Sequence, residues 1–372
     1  MARAADCCIL YGLETLRGAA HYLDFIAKSY ESYFCIDWSA YDQRLPRVIT
    51  NLYYTDFLEQ LIVINSGYQP TMDYPSYPDV DSHKMFKRIS NLLHFLHTWY
   101  NNMVFVTADG FAYLRTHCGV PSGLFNTQYL DSFGNLFLLI DGFIEYGFTP
   151  EDIMSFTLFV LGDDNTAFTL LSINELTSFI NWFESYAFKR YNMVLSRNKS
   201  IVTHLRSRIE SLSYRVNYGM PTRPLDKLIA QLCYPERGPN DKYMSARAIG
   251  IAYAAAGMDN DFHEFCHDVF NTFLPYAASP SALTAERVAP FLPGAFKVFD
   301  AISEHIPFTH FPSILEVRQA YARYLGPLSF QPKWNLAHFI NQPNVIPPSA
   351  MTLSDYRLLH NVPRQPVINY FE

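Results

Sequence analysis

Residues 156–171 read FTLFVLGDDNTAFTLL. Two apolar, strand-like runs, 156–161 and 166–169, flank Gly162-Asp163-Asp164-Asn165, the pattern of a tight hairpin. It predicts two adjacent carboxylates pushed out at a sheet edge, repelling each other unless a cation lies between them. Asp-rich tips are also ordinary turn chemistry. The meaning of this hairpin therefore depends on what surrounds it.

Upstream, residues 30–36 (YESYFCI) are short, aromatic and apolar, and predict a buried strand ending at Asp37. A carboxylate there is costly unless it is paired, hydrogen-bonded or bound to metal; as a helix cap it needs no metal. Leu45, Val48, Ile49, Leu52 and Leu58 follow on a helical period, and the turn-rich residues 65–82 predict a loop. Residues 84–100 read as a second amphipathic helix with Ile89, Leu92, Leu93, Leu96 and Trp99 inward. Runs 103–107 and 111–116 around Ala108-Asp109-Gly110 predict another hairpin. The break at 119–123 opens a helix-compatible stretch to about Phe143.

Downstream, Ser172 and Glu175 form a capping box for a helix over 173–190. Residues 212–216 with the following NYGMPTRP suggest a third hairpin. Beyond 225 the pattern is helical, and fifteen of the 23 prolines fall at or after Pro235, so Pro-stiffened loops join the last elements. The order of elements predicts an α+β fold, an antiparallel sheet with helices packed on it.

Bulk properties fit a folded chain of two or three subdomains. Of the 372 residues 49% are hydrophobic and 16% aromatic, which excludes a disordered chain. The six cysteines form no CxxC pair, and adjacent Cys7-Cys8 is a poor disulfide candidate, so a reducing setting is expected. No secretory pattern follows Met1, and the apolar run 136–140 is too short to span a bilayer, so a soluble protein is expected. Net charge is −7, yet twelve Lys/Arg against four Asp/Glu between Lys189 and Arg247 leave that stretch at +8. It can face a phosphate backbone; charge alone equally fits a solvated face.

A third cluster lies between the acids. Gly119-Val120-Pro121-Ser122-Gly123 supplies flexible backbone N–H groups, and Thr127, Asp131 and Asn135 recur every four residues on one helix face. The stripe reads either as a solvent-facing surface or, with Asp42, as a sensor for sugar hydroxyls.

Residues 37–42 (DWSAYD), 119–135 (GVPSGLFNTQYLDSFGN) and 161–164 (LGDD), in this order and spacing, resemble motifs A, B and C of viral RNA-dependent RNA polymerases. The wording of motif B is most similar to partitiviruses, a double-stranded RNA virus family, with picobirnavirus-like enzymes second. LSRNKS (195–200) resembles the end of motif D, LSYRVNYGMPTRP (212–224) motif E, and YPERG with ARAIGIAYAAAG (234–257) the start of the thumb. The likeness begins near LYGLETLRG (10–18) and ends near residue 257. The set of three catalytic motifs is specific where any one alone is not.

The resemblance implies a right-hand polymerase with a palm, partial fingers and a mostly helical thumb. Residues 1–30 would be a fingers remnant, 31–118 motif A with a fingers insertion, 119–224 motifs B to E, and 225–372 thumb and C-terminal region. It implies two Mg²⁺ (or Mn²⁺) ions on Asp37, Asp163 and Asp164, in keeping with the two-ion chemistry of nucleotide joining. Asp42, Ser122, Gly123, Thr127, Asp131 and Asn135 would bind the nucleotide and its ribose. Lys199 would protonate leaving pyrophosphate, or else is a surface lysine. Arg215 and Arg223 would touch RNA. Template and product RNA, nucleoside triphosphates and a capsid protein would be partners, with no membrane, in the host cytoplasm and within virus particles.

Such enzymes carry a basic triphosphate clamp before motif A, whereas only Arg3, Arg17 and Lys28 precede Asp37. The expectation is a chain that begins inside a longer polymerase. A reverse transcriptase shares the palm logic, but Asp42 and Asp131 as ribose readers favour an RNA product. The other alternative is a non-catalytic polymerase-like module that binds RNA or capsid.

Overall fold

The computed structural model describes residues 7–64 except 12 and 14, residue 72, residues 81–283 except 236 and 237, and residues 285–288, 308–322 and 351–370. Two compact units are each assembled from separate stretches. Met1–Asp37, Phe143–Phe183 and Leu195–Ser329 form the first; Trp38–Gly142, Glu184–Val194 and Phe330–Glu372 form the second.

The first unit is built on a four-stranded antiparallel sheet. Its strands are β1 (Ser32–Cys35), β2 (Thr157–Leu161), β3 (Asp164–Thr169) and β4 (Ile201–Thr203), in the order β2-β3-β1-β4. All four residues of β1 are buried, as a central strand covered on both faces requires. Tyr33 and Cys35 point to one face and pack with Leu10, Leu23, Phe159 and Phe168. Phe34 points to the other and meets Phe143 and Phe179, at ring separations of 6.3 and 6.5 Å. Phe34 is fully buried, so truncating it to Ala costs about 3–5 kcal/mol.

The carboxylate hairpin forms as the sequence predicts, with one correction. Leu161 pairs with Asp164, so the turn is Gly162-Asp163 alone, and Asp164 and Asn165 belong to β3. Gly162 takes φ 65, the left-handed value that two-residue hairpins of this kind demand at their first position. The third hairpin is also shifted. Strands β5 (Glu210–Ser211) and β6 (Tyr214–Arg215) pair around Leu212 and Ser213, which both turn with positive φ. The stretch 212–216 is thus half turn, and Arg215 also bridges Thr222.

Beyond the sheet lie helices Leu225–Cys233, Asp241–Ala254, Asn260–Phe273 and Ile314–Tyr321. Asp241–Ala254 is buried at every residue from Met244 onward. Its many Ala and Gly residues let neighbouring elements close in on all sides, which is how an apolar-all-round helix becomes a core. Tyr214 of β6 donates through its hydroxyl to the Ala254 carbonyl at 3.1 Å, fastening the hairpin to that helix.

In the second unit the expected helix after Asp37 is broken. Tyr41–Arg44 and Arg47–Leu52 are separated by Pro46, and a π-helical turn, Tyr53–Phe57, leads into Leu58–Leu61. Proline cannot continue the helix, and the change of phase leaves Val48 56% exposed while Leu45 and Ile49 are buried. The helix Ser82–Asn101 is capped by Asp81, whose carboxylate accepts from the Lys84 N–H. It buries Phe86, Leu93, His97 and Tyr100 instead of the whole expected face; Leu92 and Trp99 lie outside. Polar partners rotate it: His97 stacks on Tyr54 at 4.9 Å, and Tyr100 donates to the Gly119 carbonyl. The hairpin Val104–Val106 with Ala112–Leu114 forms as predicted, and the expected loop at 65–82 lies largely outside the described residues.

Residues 351–370 return to this unit. Met351–Thr352 pairs with Val63–Ile64, and the helix Leu353–Leu359 packs Tyr356 on Phe86 at 4.7 Å. Arg357 forms a two-pronged, buried ion pair with Glu59, at 2.6 and 3.0 Å, and also donates to Ser90. Among the described residues no helix is long and apolar enough to cross a membrane.

Candidate active site

In the first unit the end of β1 delivers Asp37 and the turn before β3 delivers Asp163, with Asp164 next along. The backbone of Asp37 is held on both sides by the segment before β4. Its N–H donates to Ser200 Oγ at 3.0 Å, and its carbonyl accepts from the Ser196 N–H at 2.8 Å. Lys199, at 73% side-chain exposure, places Nζ 4.0 Å from Asp37 Oδ1. The predicted acids and lysine therefore come together.

Their mutual repulsion is visible in the proton affinity of Asp164. Its pKa rises to about 6, first through desolvation in a crowded surround and then through the charges of Asp163, Asp37 and Glu210. The side chain nonetheless keeps a solvent-exposed edge. A carboxylate crowded in this way by neighbouring negative charge suits a hard divalent cation, which removes the repulsion. Among the described residues no group of three or more His, Cys, Asp or Glu side chains is gathered closely enough to hold a metal ion by itself. An ion with few protein ligands keeps waters and phosphate oxygens as the rest, so the open acid cluster fits one.

Two neighbours of the acids carry no signal that the motifs single out. Asn165, 5% exposed, accepts from the Ile36 N–H through Oδ1 and donates to the Ile36 carbonyl through Nδ2, both at 2.9 Å. Glu210 adds negative charge toward Asp164, and its carbonyl accepts from Thr166 Oγ1 at 2.9 Å. The position of Asn165 directly after the paired acids was its only mark in the sequence.

In the second unit Ser122 donates its hydroxyl to Asp42 Oδ2, and the Val120 N–H donates to the Asp42 carbonyl at 2.6 Å. The loop bearing Ser122 and Gly123 is thus fastened to Asp42. It is braced from behind by Tyr100 and Arg115, which both donate to the Gly119 carbonyl. Thr127 donates to the Pro121 carbonyl at 2.9 Å. Asp131 and Asn135 are buried, which rules out a solvent-facing stripe. Asn135 accepts from Trp38 Nε1 at 3.1 Å, and the Asp131 carbonyl accepts from the Tyr41 hydroxyl at 2.7 Å. Gly134 makes that approach possible: a Cβ there would meet the Tyr41 hydroxyl at 2.8 Å.

The two arginines differ. Arg215 is exposed on β6, while Arg223 is half-buried with its guanidinium 5.1 Å from the Tyr214 ring centre. Part of the basic stretch is structural, because Arg206 pairs with buried Asp24 at 3.1 Å and Arg247 is buried against the Gln231 carbonyl.

Comparison with known proteins bears on the whole arrangement. Over 352 residues the chain is 41% identical to the RNA-directed RNA polymerase of Atkinsonella hypoxylon virus, covering 89% of this chain and 53% of that protein. Over most of its length the chain is thus similar to viral RNA-directed RNA polymerases. A second such polymerase, from White clover cryptic virus 1, is 28% identical over 347 residues, covering 90% of this chain and 54% of its own length. The chain spans about half the length of the curated relatives it matches. No family model matches it. In three dimensions it resembles the RNA-dependent RNA polymerase of a human picobirnavirus, with TM-score 0.52, 15% identity, and coverage of 83% of this chain and 56% of that one. The fold is therefore the right-hand polymerase fold, an antiparallel sheet with helices packed on it.

Proposed function

We propose that the chain carries the catalytic centre of an RNA-dependent RNA polymerase, a nucleotidyltransferase that copies viral RNA. The observation that carries this reading is the cluster of Asp37, Asp163 and Asp164 at adjoining strand ends, where burial and then the charges of Asp163 and Asp37 raise the proton affinity of Asp164. Polymerases of this kind work with divalent cations, and here Asp37 and Asp163 would hold two Mg²⁺ or Mn²⁺ ions with Asp164 assisting. When bound, such ions neutralise phosphate charge and lower the pKa of an attacking hydroxyl.

The chain's own residues supply the rest. Asp37 and Asp163 direct their carboxylates outward because their backbones are fixed by the sheet and the turn. Lys199, beside Asp37, is exposed enough to reach a leaving pyrophosphate and give it a proton from Nζ. Ser122 and Asp42, locked to each other, offer an acceptor and a hydroxyl for the ribose, with Gly123 leaving the approach open. Thr127, Asp131 and Asn135 hold that loop and helix in place. Arg215 offers an exposed charge to RNA phosphate, and Arg223 less of one.

Template and product RNA and nucleoside triphosphates are the substrates of this reading. Contact with capsid protein, and residence in the host cytoplasm within particles, rest on the resemblance alone. The relatives carry the polymerase name and all the motif acids are in place, so a non-catalytic binding module is not favoured. The test is Asp163→Asn in the full-length polymerase, checked for folding by circular dichroism. Primer extension should fall by at least about a thousandfold; substantial extension by the folded variant would exclude Asp163 as a metal ligand.

A further inference from the structure

We propose that Asn165 is a positioning residue whose side-chain amide sets Asp37 against the Asp163–Asp164 turn so that these acids can share a divalent cation, an inference that rests on the metal reading above. The ladder between β1 and β3 runs from Ser32↔Thr169 to Phe34↔Ala167, and β1 ends at Cys35, two residues short of Asp37. At Ile36 a side chain takes over from backbone pairing. Asn165 accepts from the Ile36 N–H and donates to the Ile36 carbonyl, both at 2.9 Å.

A carboxamide alone among short side chains offers a donor and an acceptor spaced like those of a peptide. Asp would lose the donor, and Ser or Thr would lack the reach to satisfy both groups. Asn165 is therefore bonded through the chain to Asp164 and through its amide to the residue before Asp37. Movement of either acid strand is passed to the other. The burial of Asn165 removes competing water from both hydrogen bonds. Ser200 and Ser196 hold Asp37 from the opposite side, so its backbone has no free direction in which to drift.

The test uses Mn²⁺ as the probe, its binding to the whole chain followed by electron paramagnetic resonance alongside a thermal melt. In the parent, Mn²⁺ binding that Asp163→Asn removes identifies the site. Asn165→Leu should weaken that binding by about tenfold or more, as loss of a partner behind a ligand does. The control is Thr169→Val, which breaks the 2.7 Å hydrogen bond to Ser32 at the far end of the same strand pair. It should lower the melting temperature and leave Mn²⁺ affinity unchanged. Asn165→Thr, a strand-compatible change, gives the answer should Asn165→Leu unfold. Parent-like Mn²⁺ affinity in the folded Asn165 variants overturns the positioning role while the metal reading stands. A parent showing no Mn²⁺ binding that Asp163→Asn removes overturns both, and does so before any Asn165 variant is made.

Discussion

Replacing Asp164 by Asn removes one charge from a group of four acids, and the consequence depends on pH. Burial and the charges of Asp163, Asp37 and Glu210 raise this carboxyl from 3.8 to about 6. Between those values the folded chain keeps a proton that the unfolded chain has released. Stability therefore falls as pH rises through this window, and the loss is complete above it. At full weight a shift of this size is worth about 3 kcal/mol. Because the side chain is more than a third exposed, solvent screening reduces that to about 1 kcal/mol. In chelator, Asp164→Asn should melt with the parent near about pH 4 and about 2 °C above it near about pH 8. Saturating Mg²⁺ should narrow the gap, since a bound cation relieves the same repulsion. A gap of equal size at both pH values, or one that closes toward the upper pH, would refute the reasoning.

If Asp42 and Ser122 read the ribose, Asp42→Ala and Ser122→Ala in the full-length polymerase should each reduce the preference for ribonucleotides over deoxyribonucleotides by about tenfold in kcat/KM; an unchanged ratio in both returns them to a loop-fastening role. Arg357→Ala should cost about 3 kcal/mol in urea unfolding, because it strands Glu59 in a buried site where, among the described residues, Arg364 at 3.6 Å is left to answer its charge. Arg364→Ala, at an exposed pair with Asp56, should cost under about 1 kcal/mol, and equal losses for the two would contradict this account.

The sheet was legible because its strands are short apolar runs with strong breaks on either side. Residues 30–36 and 156–171 carry both period and punctuation. The capping box at Ser172 and Glu175 was legible for the same local reason, and both arms of it form. What failed was phase where tertiary partners decide it. Leu92 and Trp99 match a helical period as well as His97 and Tyr100 do, but only the latter find hydrogen-bond and stacking partners. Pro46 shifted Val48 outward, and nothing local announced a turn at Leu212-Ser213, where non-glycine residues take positive φ. In the site, acids stood out by type and spacing. Asn165, Ser200 and Glu210 act through residues 129, 163 and 46 positions away in the chain, beyond the reach of any local pattern.

The ion pair between Glu59 and Arg357 also fixes an order of events during synthesis. The two residues are 298 positions apart, an interval of roughly 15–60 s at ribosomal rates. Throughout it Glu59 has emerged without the arginine that neutralises it, Val63–Ile64 lacks the strand that later covers its edge, and Phe86 waits for Tyr356. The helices between Leu225 and Phe273, neighbours in sequence, can close meanwhile. The second unit is thus completed only when residues 351–370 emerge, and until then its open edge at Val63–Ile64 is where a nascent chain is most exposed to chaperones or to another copy of itself.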